Sequence, residues 1–202
     1  MKILNLYAGI GGNRKLWKST IKNPIEIWAV ENNKEIADVY HNLFPNDKLI
    51  VGDAHEFLLN NYDKFDVIWS SPPCQSHSSF RQNINVRFRG TPAVYPDMKL
   101  YQEIIFLQAN FKGKWIVENV KPYYEPLIKP TFTLQRHYFW SNFNVKPKEF
   151  PKDMIRSAQI PDLEKKHGYN LKEYKLKEKR QILRNCVSPE VGKYILDNII
   201  NN

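Results

Sequence analysis

Cysteine is scarce in this chain: 202 residues hold two, Cys74 and Cys186. Two thiols are too few for a disulfide framework, and neither sits in a metal-ligand spacing. No metal is therefore expected, and a reducing, cytoplasmic setting is the simpler reading. No apolar run approaches the ~20 residues that span a bilayer, so no membrane role is expected. The first residues run straight into the apolar stretch Lys2–Tyr7, with no separate signal peptide expected ahead of it. Glycine is sparse as well, at eight, and three of these crowd into Tyr7-Ala8-Gly9-Ile10-Gly11-Gly12. That loop lacks a following Lys-Ser/Thr, which argues against a nucleoside triphosphate. No internal repeat is visible.

Acidic residues are outnumbered. Thirty lysines and arginines face 21 carboxylates, for a formal charge of +9. Such a balance favours a polyanionic partner without identifying one. Hydrophobic residues make up 42%, enough for one domain with a full core.

Apolar runs alternate with helical periodicity along most of the chain. Strands are predicted at Lys2–Tyr7, Ile25–Val30, Leu49–Val51, Phe65–Trp69 and Trp115–Val117, with a sixth entered from Gln135. Helices are predicted over Asn13–Lys18, Lys34–Phe44, Glu56–Tyr62, Met98–Asn110 and, after Val191, through Ile200. This alternation implies an α/β fold with a mostly parallel sheet. Residues 75–96 read as a long polar loop without structure of its own, a length that is usually functional. Residues 144–184 are lysine-rich and show no clear domain.

The chemistry concentrates at strand ends. Ser70-Ser71-Pro72-Pro73-Cys74-Gln75 stops the fourth strand with two prolines and sets a thiol at the sheet's mouth. Open α/β sheets bind ligands there. The glycine loop after the first strand permits close approach of a ligand to backbone. Glu31, at the tip of the second strand, could hold two ribose hydroxyls or merely open a helix. Asp53 follows the third strand in a Gly-Asp pair. The loop after Cys74 supplies arginines and hydroxyls suited to phosphate.

Taken in order, these segments resemble the DNA cytosine-5 methyltransferase family: the glycine loop, Glu31, Asp53, Pro72-Pro73-Cys74-Gln75, Glu118-Asn119-Val120, Gln135-Arg136 and Asn185-Cys186-Val187. The resemblance implies a Rossmann-like, S-adenosylmethionine-dependent methyltransferase fold with helices on both faces of the sheet. It implies a catalytic domain over residues 1–143 and 184–202, and a much reduced target-recognition segment over 144–183. Cys74 would be the nucleophile, Glu118 the carboxyl at cytosine N3 and the amino group, and Arg136 the partner of O2. S-adenosylmethionine would be held by Tyr7, Ala8, Gly9, Gly11 and Gly12 around its methionine part, by Glu31 at the ribose and by Asp53 at the adenine amino group. Asn32 stands where an aromatic usually covers the adenine. Ala54, Pro72, Leu100, Asn185 and Val187 would complete that site. Pro73, Gln75, Ser78, Arg81, Arg87, Arg89 and Asn119 would meet the substrate. The sequence departs from the family at Arg184, where a glycine is usual, and at Cys186, where a serine is.

Double-stranded DNA with the target base flipped out is the expected partner, and a cognate restriction enzyme in the same system is a further one that the resemblance admits. The setting would be the bacterial cytoplasm, for a host or phage gene. Two rival functions stay open at this point: a tRNA cytosine-5 methyltransferase, and a non-catalytic member that binds nucleic acid.

Overall fold

A computed structural model of the chain describes residues 1–17, 25–151 and 157–200. Seven strands form one sheet in the order β3-β2-β1-β4-β5-β7-β6. They are β1 (Lys2–Leu6), β2 (Glu26–Glu31), β3 (Lys48–Val51), β4 (Val67–Ser70), β5 (Lys114–Val120), β6 (Phe132–Leu134) and β7 (His137–Ser141). The first five are parallel, and β7 joins β5 antiparallel, with β6 antiparallel beyond it. This is the mostly parallel sheet that the alternation implies and the Rossmann-like fold that the family resemblance implies.

Strand side chains alternate between the two faces. Leu4, Leu6, Ile68, Trp115 and Val117 bury against α2 (Ala54–Asn61) and α4 (Lys99–Asn110), through Leu58, Ile104 and Leu107. Ile3, Val67, Trp69 and Ile116 bury on the other face, against Trp17 and against Val191, Ile195 and Leu196 of α7 (Pro189–Ile200). A sheet covered on both sides excludes water from every central strand, which is why these runs read as continuously apolar. β1 lies between β2 and β4, so the chain reverses direction across the sheet there. The resulting crevice at the strands' carboxyl ends is the topological switch point, where such sheets bind ligands.

Several local expectations are corrected. Asn13 to Trp17 winds through successive i→i+3 turns, not an α-helix, with Arg14 N–H on the Gly11 carbonyl at 3.1 Å and Trp17 N–H on that of Arg14 at 3.1 Å. Lys18, the end of that expected helix, lies outside the described residues. Asn13, Arg14 and Trp17 are all buried, and Arg14 turns inward to a bidentate pair with Asp47 at 2.8 Å. Residues 75–96 are not structureless: a π-helical run, Arg81–Val86, continues into α3 (Arg87–Arg89). β5 runs through Glu118 and Asn119 instead of stopping at Val117, because β7 pairs with it as far as Val120. Gln135-Arg136 is the tip of the β6–β7 hairpin, with Gln135 at φ 52°.

The described part of residues 144–184 folds onto the body. α5 (Ile160–His167) and α6 (Lys179–Asn185) contribute to a third core in which Leu163, Tyr169, Leu171, Leu176 and Leu183 pack with Ile10 of the glycine loop and Val39 of α1 (Lys34–Leu43).

Candidate active site

Two adjoining cavities open at the switch point. The first, about 310 Å³, lies between the glycine loop, Glu31 and the residues around Cys74. The second, about 890 Å³, lies between the segment after Cys74 and α6. Cys74, Gln75, Val120 and Asn185 line both, so the thiol sits on their shared wall.

Backbone hydrogen bonds fix the first cavity's floor. Gly9 N–H donates to Glu31 Oε2 at 2.9 Å, and Asn33 N–H donates to Oε1 at 2.9 Å. The Glu31 carboxylate therefore ties the glycine loop to the tip of β2 and keeps its remaining lone pairs for a ligand. Gly12 is a forced glycine: a Cβ there would lie 2.7 Å from Cys186 Cβ and 2.8 Å from the Val187 carbonyl oxygen. Tyr7, at φ 55°, is anchored through its hydroxyl to Glu103 at 2.6 Å. Buried Glu103 also accepts from Ser70 Oγ at 2.5 Å and meets His55 Nδ1 at 2.9 Å, and so joins the ends of β1 and β4.

Cys74 follows the diproline stop. Its carbonyl accepts from His77 N–H and Ser78 N–H at 3.1 and 3.0 Å, and buried Asn119 Nδ2 holds the Pro72 carbonyl at 2.9 Å. Burial pushes the thiol up to about 11; the Glu118 carboxyl adds to this and the Arg136 guanidinium opposes it. Glu118 is itself buried, which pushes it up to about 7 against the pull of a Ser71 hydrogen bond and of Arg136. His137 Nε2 lies 3.5 Å from Glu118 Oε1, and burial, reinforced by Arg136 and other cations, holds this imidazole neutral. Arg136 donates Nη2 to the Arg184 carbonyl at 2.6 Å and lines the second cavity.

Tyr7, Ala8, Gly9, Gly12, Glu31, Asn32, Pro72, Pro73, Cys74, Gln75, Glu118, Asn185 and Val187 line the first cavity. Ser78, Arg81 and Arg136 line the second with Cys74 and Gln75. Other expected site residues lie elsewhere. Asp53 is the N-cap of α2: its Oδ1 accepts from His55 N–H and Glu56 N–H at 2.8 and 3.1 Å, and Lys99 Nζ stands 3.4 Å from Oδ2. It lines neither cavity. Ala54 and Leu100 are core residues beneath the site. Gly11 packs under the loop, where a Cβ would strike the Phe44 ring at 2.3 Å. Asn119 supports Pro72 from behind, and Arg87 and Arg89 point to solvent.

A family model described as C-5 cytosine-specific DNA methylase matches residues 1–126. The chain belongs to that family. Among curated relatives, the tRNA (cytosine(38)-C(5))-methyltransferase of Spodoptera frugiperda is 36% identical over 76 residues, which is 37% of this chain and 23% of that protein. The mouse protein of the same name is 31% identical over 77 residues, 37% of this chain and 19% of that protein. The match thus spans about a fifth of the curated relatives' length. A solved methyltransferase of Entamoeba histolytica shares the fold, with a TM-score of 0.62 at 11% identity, covering 100% of this chain and 98% of that one.

The cofactor of the methylase family is S-adenosylmethionine, and the first cavity fits it. Among the described residues its acidic side chains are Glu31 and the buried Glu118, with no lysine or arginine. That charge suits a ligand bearing ammonium and sulfonium groups and opposes one bearing phosphates. Replacing Glu31 by alanine is expected to weaken S-adenosylmethionine binding roughly ten- to hundredfold, the loss of one or two charge-assisted hydrogen bonds. Calorimetry measures the affinity. KM should rise more than kcat falls, since the contact serves ground and transition states alike. Unchanged affinity would make Glu31 a helix-start carboxylate only.

Some residues escaped the sequence reading. His137 follows the quoted Gln-Arg pair but drew no role there; its pairing opposite Val120 brings it to Glu118. Glu103 had a visible signal: it shares the helical face of Leu100, Ile104 and Leu107, and a carboxylate on an apolar face needs buried partners.

Proposed function

We propose that the chain transfers the methyl group of S-adenosylmethionine to C5 of cytosine in DNA, through a covalent Cys74 adduct on a base turned out of the duplex. The observation that carries this reading is the place of Cys74 on the wall shared by a carboxylate-lined cavity and an arginine-lined one. A pyrimidine entering from the second cavity meets the thiol with Glu118 and Arg136 near it.

Cytosine C5 is a weak nucleophile. Cys74 Sγ, as thiolate, bonds to C6 and pushes electron density toward C5. Glu118, protonated, donates to N3 and accepts from the exocyclic amino group, which takes up the charge that develops on the ring. Arg136 holds O2. Bound S-adenosylmethionine supplies the electrophilic methyl group. Loss of the C5 proton to water then returns electrons to the ring, breaks the Sγ–C6 bond and frees the thiolate.

This chemistry asks for an acid at Glu118 and a base at Cys74, and their pKa values run the opposite way, about 7 and about 11. Only a small fraction of the free molecules holds both in the reactive form, and that fraction is level between the two values. The expected profile of kcat/KM rises about tenfold per pH unit below about 7 and then stays level toward pH 10. A fall across pH 8–10 would contradict the assignment.

Residues 144–183 serve, in this reading, as a reduced target-recognition segment joined to a catalytic body of residues 1–143 and 184–202. A second reading, methylation of tRNA, is favoured by the name the matched relatives carry. Radiolabelled methyl transfer from S-adenosylmethionine to duplex DNA and to tRNA tests both. Incorporation into DNA supports the first reading, incorporation into tRNA alone replaces it with the second, and incorporation into neither rejects both.

A further inference from the structure

The two cavities divide their charge. Among the described residues, the second is lined by five cations, Arg81, Lys121, Arg136, Arg180 and Arg184, against one carboxylate, Glu178. Part of this wall comes from α6, which is two-sided: Ile182 and Leu183 pack into the third core, while Arg180, Gln181 and Arg184 face the cavity. The Arg184 guanidinium carbon lies 5.3 Å from the centroid of Phe80, so α6 meets the segment that follows Cys74. Arg180 Nε donates to the Ala158 carbonyl at 3.1 Å, which fixes the base of that side chain's head group.

The resulting positive field is felt by neighbouring bases. His137, Lys166 and His167 are each pushed down, first by burial and then by surrounding cations, Arg136 among them in every case; Lys166 falls to about 8 and His167 to about 4. Arginine keeps its charge at any working pH. That concentration of cationic side chains attracts an entering anion.

We propose that the second cavity is a phosphodiester-backbone site, in which Arg180 and Arg184 of α6 grip phosphates next to the target cytosine from one wall and Lys121 from the other. The proposal rests on the reading of Cys74 as a cytosine-modifying thiol. In it, residues 144–184 supply a backbone-gripping wall. Because phosphates are the same at every base, this grip is sequence-tolerant. Arg184 stands where a glycine is usual in the family, so this contact belongs to this chain.

Fluorescence anisotropy with the full chain tests the site, using duplex DNA and single-stranded RNA oligonucleotides over a series of salt concentrations. Each of Arg180→Ala and Arg184→Ala is expected to reduce the slope of log affinity against log salt by about 0.7–0.9, one phosphate's share. Affinity should fall by similar factors for unrelated sequences. Arg180→Lys should restore the slope, and S-adenosylmethionine affinity should stay unchanged in all three. If Arg184→Ala fails to fold, the Arg180 pair alone decides. Unchanged slopes overturn the site, as does a loss confined to one sequence. Trapping of Cys74 by 5-fluorocytosine separates the two readings: an adduct with unchanged slopes overturns the phosphate site alone, and reduced slopes without an adduct overturn the cytosine chemistry alone.

Discussion

Cys74→Ser lowers methyl transfer roughly a thousandfold or more while S-adenosylmethionine still binds with near wild-type affinity. A serine hydroxyl ionises far less readily than a thiol and is a weaker nucleophile at carbon, so addition to C6 loses its driving group. The substitution is nearly isosteric. The diproline stop, the Asn119 bond to Pro72 and the two amides on the residue-74 carbonyl remain to hold the loop. The cofactor's own contacts at the glycine loop and Glu31 are untouched. Single-turnover transfer and calorimetry on the same preparation measure the two quantities. Retained turnover would remove Cys74 from the mechanism; lost cofactor binding would make it a packing residue.

Glu118→Gln should cost roughly 10²–10³ in kcat, the scale of removing one group that stabilises developing charge. Glutamine keeps the size and can still hydrogen-bond the ring edge, but it cannot hand over a proton. Its second signature lies in the pH profile. With the group near 7 removed, kcat/KM should go on rising about tenfold per pH unit toward pH 9–10, following thiol ionisation alone. A mutant profile that still levels near pH 7 would assign the break to another group.

The legible part of this molecule was the part where backbone and chemistry demand the same residues. Glycines 9, 11 and 12, the diproline before Cys74 and the apolar strands each impose a local shape that few other residues permit, so the strand ends and their contents could be placed. Gly-Asp-Ala reads alike for a ligand-binding strand tip and for a helix N-cap, and in the structure Asp53 Oδ1 caps α2. The fold of residues 157–184 was hidden for a different reason. Leu163, Leu171, Leu176 and Leu183 are scattered among charged residues, without a period, and become a core only against Ile10 and Val39, more than a hundred residues away. The helical run after Cys74 likewise has no apolar period; its described contacts are with distant elements, such as Phe80 against Arg184 and Ser78 bridged to Pro122. Glu118 was found by its motif, but its proximity to His137 depended on the hairpin register.

The central claim is that Cys74 bonds to C6 of the cytosine being methylated. Its most direct measurement is mass spectrometry of the protein after incubation with S-adenosylmethionine and oligonucleotides, DNA and RNA, that carry 5-fluorocytosine. Fluorine at C5 blocks the final proton loss, so the adduct accumulates. The account predicts a complex stable to denaturation, heavier by the oligonucleotide and one methyl group, mapping to the peptide that contains Cys74. Binding of both ligands with no such complex, or an adduct on Cys186, would contradict it.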